Sequence, residues 1–509
     1  MTLDLQVQLQ TLAQHKNKDF IISRFGTFTY LEIQNLIVKL SSFLDKAIEV
    51  SQFTEERSIF LVKGDGELAH LVFLLAALNL EIPFIPMNRT WERSETLPFK
   101  ADRIWINCEG SSISIDGESF SILGTQGESD RRLTSHIKPK QRVSSLQKLA
   151  CCFPTSGTTG QPKMIAVTNH QLAKGAAFVS QALSLNSEDV LAGMLSLDFD
   201  YGLNQVLSSL AVGATYVCCQ LSSATTEDLE RLASQNPTVL ATMPFLIETY
   251  FSAFSVGNFP TVRLVTSSGG PLTQKHRQKI KRVCPKATII PMYGLSEGFR
   301  ATISTAEIDK KYPNSVGIPI GDTEISIRNE NGEPLPPNVT GEIWQSGGCL
   351  SWGYWNDSVA TSNRFIDDSE FPNKRWLKSG DLGVLNNDGI LFVLGRVSFQ
   401  IKKFGLRISI DEVESQISKT LGGVVCVAVP IQVSETESDF NIFVEASKKL
   451  LPSLIIKIHA SMPREMWPRR LFCIEKIPLN VYGGKPDRQF LLAISEKEET
   501  TNINSIHED

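Results

Sequence analysis

The chain has 509 residues, 42% hydrophobic and 21% charged, with a formal net charge of −5. This composition allows a sizeable buried core, excludes a disordered class and gives no electrostatic basis for binding nucleic acid or an anionic membrane. At roughly 150 residues per domain the length fits about three domains, or two larger ones.

The first residues, "MTLDLQVQLQ", carry Asp4 and no basic segment, so no secretory leader is expected. The apolar run "LVFLLAALNL" at 71–80 stops at Glu81 and Pro83. It is too short to span a bilayer and predicts a buried helix. From about residue 57 to 300, short apolar runs alternate with helical periods. "RSIFLVKG" precedes "ELAHLVFLLAALNL", "DVLAGML" precedes "LNQVLSSLA", and "ATYVCC" precedes "TTEDLERLAS". "TVLATM", "VRLVTS" and "ATIIPM" continue the series. The pattern predicts an α/β fold with mostly parallel sheets, in which ligands bind beyond the carboxyl ends of the strands.

Residues 108–145 are polar and read as a peripheral hairpin and linker, and 315–394 as a β-rich subdomain. After Gly395 the runs "SIDEVESQISKTL", "VVCVAVPI" and "FNIFVEA" predict a small α+β domain. The expected division is a large N-terminal domain, 1–395, a small C-terminal domain, 396–495, and a disordered charged tail, 496–509. The nine cysteines lack a C-x-x-C pattern and mostly lie in apolar runs, which predicts free thiols and a cytoplasmic location. The seven histidines have no ligand-like spacing, so no protein-held zinc is expected.

Four segments carry candidate chemistry. In "TSGTTGQPK", after the strand-like "LACCF", Gly157 and Gly160 let backbone N–H groups converge on an anion. Thr155, Ser156, Thr158 and Thr159 add hydroxyls and Lys163 a point charge, a set suited to polyphosphate. It lacks the Walker spacing, and alone it also fits a solvated turn. In "PMYGLSEGFRA", Glu297 offers a carboxylate to Mg²⁺ and Tyr293 an aromatic face to a base. In "LKSGDLG", Asp381 reads as a turn aspartate able to accept from ribose hydroxyls, with Arg396 within reach of the same sugar or of a phosphate. In "PLNVYGGKPDRQF", a glycine pair presents Lys485. Each of the last three has an ordinary structural reading in isolation.

Together these segments, with "LSWGYWN…SNRF" at 350–365 and "FTYLEI" at 28–33, resemble the adenylate-forming enzymes in sequence order. That superfamily includes acyl-CoA synthetases, luciferases and the adenylation domains of nonribosomal peptide synthetases. The resemblance covers about residues 20–490 and is greatest to a stand-alone amino-acid adenylation enzyme.

The resemblance implies an ATP-dependent, AMP-forming carboxylic acid–thiol ligase. Residues 155–160 and Lys163 would hold the β- and γ-phosphates. Gly269, Gly270, Met292, Tyr293, Gly294 and Ser296 would line the adenine and α-phosphate side. Glu297 would hold Mg²⁺, Asp381 and Arg396 would anchor the ribose, and Lys485 would bridge the acid and the α-phosphate. The small domain would be mobile, swinging about a hinge near Ser398, where the family usually has Asp or Lys. Met164, Ser379 and an extra residue beside Lys485 are further departures.

Asp200 matches the aspartate that amino-acid-activating members pair with the substrate ammonium. Tyr201, Asn204, Met292 and Arg300 would complete the acid pocket, with Arg300 also able to complement Asp200. "LGG" at 421–423 lacks the following Asp-Ser of a carrier domain, so transfer is expected to a separate carrier protein or to coenzyme A. An acyl-CoA synthetase, a fatty-acyl-AMP ligase and a non-catalytic nucleotide-binding relative are the alternatives.

Overall fold

The computed structural model describes residues 11–50, 58–87, 102–115, 118–123, 148–155, 163–221, 224–368, 371–372, 374–397, 400–403, 406–433, 438–479 and 486–502. The chain forms two compact units, one of Met1–Ile325 with Gln345–Leu377 and one of Ser326–Trp344 with Lys378–Asp509.

Two sheets organise the first unit. The order of the nine-stranded sheet is Ile318–Pro319, Phe299–Ile303, Thr288–Leu295, Leu264–Ser267, Val239–Thr242, Val190–Gly193, Thr215–Cys218, Asp19–Ser23 and Gly26–Thr29. From Thr288–Leu295 to Asp19–Ser23 every pairing is parallel, and the outer strands are antiparallel. Val239–Thr242 is buried at every position, as a strand covered on both faces requires. The second sheet has eight strands. Toward one edge Leu149–Thr155 pairs antiparallel with Lys163–Thr168, and Gly353–Tyr354 forms the edge strand beyond Lys163–Thr168. At its other end, Ser112–Ile115 and Glu118–Ser121 form the hairpin expected in the polar 108–145 stretch.

Local chemistry sets where the helices begin. Thr168 ends its strand, and its hydroxyl accepts the Gln171 N–H at 3.3 Å. The Gln171 side chain in turn accepts the Thr168 N–H at 2.7 Å. This reciprocal cap starts the helix Asn169–Ala182 directly after the strand. The predicted greasy helix is Leu68–Leu80, with 68–78 buried all round.

Within that helix His70 has no solvent exposure. Its Nδ1 accepts the Gly66 N–H at 3.2 Å, and its ring lies where any side chain at Gly64 would strike it. Burial pushes this imidazole down to about 4, against a smaller opposite pull from Asp65. The folded state therefore keeps His70 neutral, and its contribution is fully present above about pH 6.5. It is lost as pH falls toward 4, amounting to about 3 kcal/mol. Thermal melts of wild type and His70→Gln from pH 7 to 4.5 should converge as pH falls; parallel curves would contradict this.

The second unit contains a three-stranded sheet of Cys426–Gln432, Ser438–Glu445 and Arg470–Ile474. The helix Ile410–Thr420 packs Val413 and Ile417 against Phe440 and Ile442 of that sheet. Arg488 ties the last helix to the others, donating to Glu414 Oε1 at 2.6 Å and to the Ala428 carbonyl at 3.1 Å.

Asp381 and the C-terminal residues depart from the sequence expectation. Asp381 lies inside the strand Arg375–Leu385, opposite Arg396 of Leu391–Arg396, instead of in a turn. The turn-like signal came from Gly380, whose φ of +68° kinks the strand. The last helix, Arg488–Asn502, extends through residues 496–502, which the charge pattern assigned to a disordered tail. Its "SEKEE" segment combines good helix formers, so charge did not exclude helix.

Candidate active site

The site is built at the carboxyl ends of the parallel strands of the first unit. Thr288–Leu295 turns through Ser296, Glu297 and Gly298 into Phe299–Ile303, closed by a Gly298 N–H bond to the Leu295 carbonyl at 2.9 Å. The pairing slips between Tyr293 and Gly294, which places Gly294 opposite Arg300. Only glycine fits at 294, because a Cβ there would lie 2.1 Å from the Phe299 carbonyl oxygen. Phe299 itself has a φ of +53°, a strained conformation for a bulky residue.

This hairpin delivers Ser296 and Arg300 to Asp200, the first residue of the helix Asp200–Val212. The Ser296 hydroxyl donates to Asp200 Oδ1 at 2.8 Å. Arg300 Nη2 stands 3.6 Å from Asp200 Oδ2, and its Nη1 donates to the Ser268 hydroxyl at 3.0 Å. The guanidinium lies 4.1 Å from the centroid of the Tyr201 ring. Tyr201 Oη is bonded to Thr266 Oγ1 at 2.7 Å, and burial pushes its hydroxyl up to about 12 although Arg300 pulls the other way. Asp200 and Arg300 are each 6% exposed. Asp200 and Tyr201 from the helix and Ser296 and Arg300 from the hairpin thus form one cluster. Asn204 lies one turn along the helix, with its amide against Gly175 of the neighbouring helix. Met292 and Tyr293 are buried opposite Ile303 and Thr302. Gly269 and Gly270 are exposed just beyond Leu264–Ser267, Gly269 with a φ of +82°.

A second cluster forms around Tyr354. Gly353–Tyr354 pairs with Ala166 and Ile165, held further by N–H bonds from Trp352 to Ala166 and from Trp355 to Met164. The Tyr354 hydroxyl donates to Glu297 Oε1 at 2.8 Å, and Lys163 Nζ sits 5.1 Å from the ring centroid. Arg364 Nη2 is 4.0 Å from the same Glu297 oxygen. Burial, reinforced by the Glu297 charge, pushes the Tyr354 hydroxyl well above its ordinary range, so it stays a donor. The Glu297 main chain is fixed by the Ser351 N–H at 2.7 Å. Glu297 Oε2 has no hydrogen-bond partner among the described residues. A carboxylate with one oxygen left unbonded suits Mg²⁺, which takes few protein ligands and shares phosphate oxygens.

Tyr354, Arg364 and Ser268 received no role from the sequence. Tyr354 and Arg364 lie in the quoted 350–365 segment, but a two-residue strand leaves no periodicity to reveal its partner. Met164, where glycine usually follows the loop lysine, is a buried strand residue opposite Pro154. Thr155 ends one strand and Lys163 begins the next, and 156–162 between them lie outside the described residues, as do Ser398 and Lys485.

In the second unit, Asp381 and Arg396 pair across two antiparallel strands, with Arg396 Nε 2.8 Å from Asp381 Oδ1. Ser379 supplies its hydroxyl to the Asp381 N–H at 2.9 Å. Glu342 accepts the Gly380 N–H at 2.9 Å. A serine in place of threonine at 379 keeps the hydroxyl that accepts the Asp381 N–H within the strand.

Residues 100–355, half of the chain, match the family model described as AMP-binding enzyme. The chain is 26% identical over 458 residues to a plipastatin synthase component of Bacillus subtilis (strain 168), covering 87% of this chain and 18% of that protein. It is 24% identical over 492 residues to tyrocidine synthase 1 of Brevibacillus parabrevis, covering 93% of this chain and 43% of that one. It therefore spans less than half the length of either relative. The fold is similar to that of ATP-bound MatB from Rhodopseudomonas palustris, with a TM-score of 0.78 at 18% identity, covering 98% of this chain and 100% of that chain. The chain belongs to the AMP-binding enzyme family, within the adenylate-forming superfamily of ATP-dependent, AMP-forming ligases.

Proposed function

We propose that the chain activates an amino acid as its aminoacyl-adenylate, converting ATP to AMP and pyrophosphate. It then passes the acyl group to the phosphopantetheine thiol of a separate carrier protein. The observation that carries this reading is Asp200, a 6% exposed carboxylate whose one hydrogen bond among the described residues comes from Ser296. A carboxylate has about four acceptor sites, and burying it so poorly satisfied is costly unless a cation meets it. A substrate ammonium supplies three donors and a charge. The likeness to peptide synthases supports the same reading.

In this account residues 155–160 and Lys163 hold the departing pyrophosphate. Gly269, Gly270, Met292, Tyr293, Gly294 and Ser296 line the adenine and α-phosphate side. Asp381 and Arg396 hold the ribose, and Glu297 holds Mg²⁺, which offsets phosphate charge when bound. Lys485 bridges the substrate carboxylate and the α-phosphate. The C-terminal part moves about a hinge near Ser398 between adenylation and thiol transfer. All nine cysteines are free thiols, which suits a reducing compartment and supports a cytoplasmic reaction. No described helix is long and apolar enough to cross a membrane.

One observation favours a second reading. Arg300 beside Asp200 offers that carboxylate a resident cation, which would leave the pocket to a plain acid, as in an acyl-CoA synthetase or fatty-acyl-AMP ligase. Hydroxylamine trapping of adenylates separates the two. Hydroxamates from amino acids and none from fatty or aryl acids support the proposal; the reverse pattern overturns it. Mass analysis of a holo-carrier protein and of coenzyme A after the reaction identifies the acceptor.

A further inference from the structure

Arg300 is held as a recognition group is held. Its guanidinium stacks on Tyr201 at 4.1 Å, and Tyr201 is itself fixed by the 2.7 Å bond to Thr266. Ser268 takes one N–H at 3.0 Å. The approach to Asp200 is 3.6 Å, beyond hydrogen-bonding distance. A guanidinium carries five N–H donors in a planar fork that matches a carboxylate. Most of those donors make no hydrogen bond among the described residues, so stacking sets the plane of the fork and leaves its edge available.

The pair is also a poor structural ion pair. Both groups are 6% exposed, so both have lost solvation, and without a hydrogen bond their attraction compensates weakly. A ligand bearing a positive and a negative charge satisfies both: an ammonium on Asp200 and a carboxylate on Arg300. The carboxylate undergoing activation has to face the α-phosphate, so the one on Arg300 is a second carboxylate.

We propose that Arg300 reads this second carboxylate, and that the activated acid is an amino dicarboxylic acid whose ammonium and second carboxylate are borne on adjacent carbons. The inference rests on the reading of Asp200 as the ammonium partner. The spacing follows from the protein: charges 3.6 Å apart take ligand charges that are neighbours. Aspartate meets that requirement. With the α-carboxylate as the one activated, glutamate has to fold back on itself; asparagine lacks the charge, and alanine leaves Arg300 facing only Asp200.

The test is ATP–pyrophosphate exchange by wild type with aspartate, asparagine, glutamate and alanine, and by Arg300→Gln and Arg300→Lys variants whose folding is checked by thermal melts. Wild type should prefer aspartate over asparagine by about 100-fold in kcat/KM, since a site built for a charged partner rejects its neutral isostere strongly. Arg300→Gln should reduce that preference to about tenfold or less, with Arg300→Lys intermediate. Equal exchange with alanine and aspartate overturns the inference and leaves amino-acid activation standing. A uniform loss for every amino acid in Arg300→Gln also overturns it, placing Arg300 on the reacting carboxylate. Exchange with plain acids alone overturns the reading of Asp200 itself. The wild-type panel decides even where a variant fails to fold.

Discussion

Lys485→Ala is expected to lower amino-acid-dependent ATP–pyrophosphate exchange by about 10²–10³-fold. Adenylation brings two anions together and builds negative charge between the carboxylate oxygen and the α-phosphorus. A cation delivered there acts mainly on the transition state, so the loss should fall on kcat more than on KM for ATP. The binding groups assigned to ATP lie elsewhere in the sequence: Lys163, Glu297, Asp381 and Arg396. Equilibrium binding of ATP to the variant should therefore stay within a few-fold of wild type. Undiminished exchange would remove Lys485 from the mechanism, and loss of ATP binding would assign it a ground-state role.

Glu297→Gln should lower exchange by about 10²-fold, with part of the loss recovered at raised Mg²⁺. The substitution removes a charge and keeps the shape. Tyr354, 2.8 Å from Glu297 Oε1, can still donate to the amide oxygen. Packing and the main-chain bond from Ser351 are retained as well, so the effect isolates the carboxylate. Tyr354→Phe, which deletes the hydrogen bond and keeps the ring beneath Lys163, should cost only about tenfold. Mg²⁺ titrations of the exchange rate for the three proteins check this. A wild-type rate in Glu297→Gln at every Mg²⁺ concentration would contradict the metal-binding role.

The sequence was most informative where one element carries its own signal. The parallel strands were readable because each is a short buried run followed by a helical period, as in Val190–Gly193 and Asp200–Val212. The structure starts that helix at Asp200, ahead of the periodic run "LNQVLSSLA". Contacts between distant segments were not readable. Gly353–Tyr354 has no period at two residues, so nothing local connects Tyr354 with Lys163 and Glu297. Arg300 was visible as a candidate, but its stacking on Tyr201 and its bond to Ser268 depend on the slipped pairing at Gly294. Asp381 was misplaced because a kinked glycine within a strand resembles a turn when only composition is read.

Amino-acid activation is tested most directly by ATP–pyrophosphate exchange with wild-type protein against a panel of amino acids, fatty acids and aryl acids. Exchange that requires an amino acid, and that Asp200→Asn abolishes, is the predicted result. Exchange supported by fatty or aryl acids, absent with every amino acid and unaffected by Asp200→Asn, would contradict it.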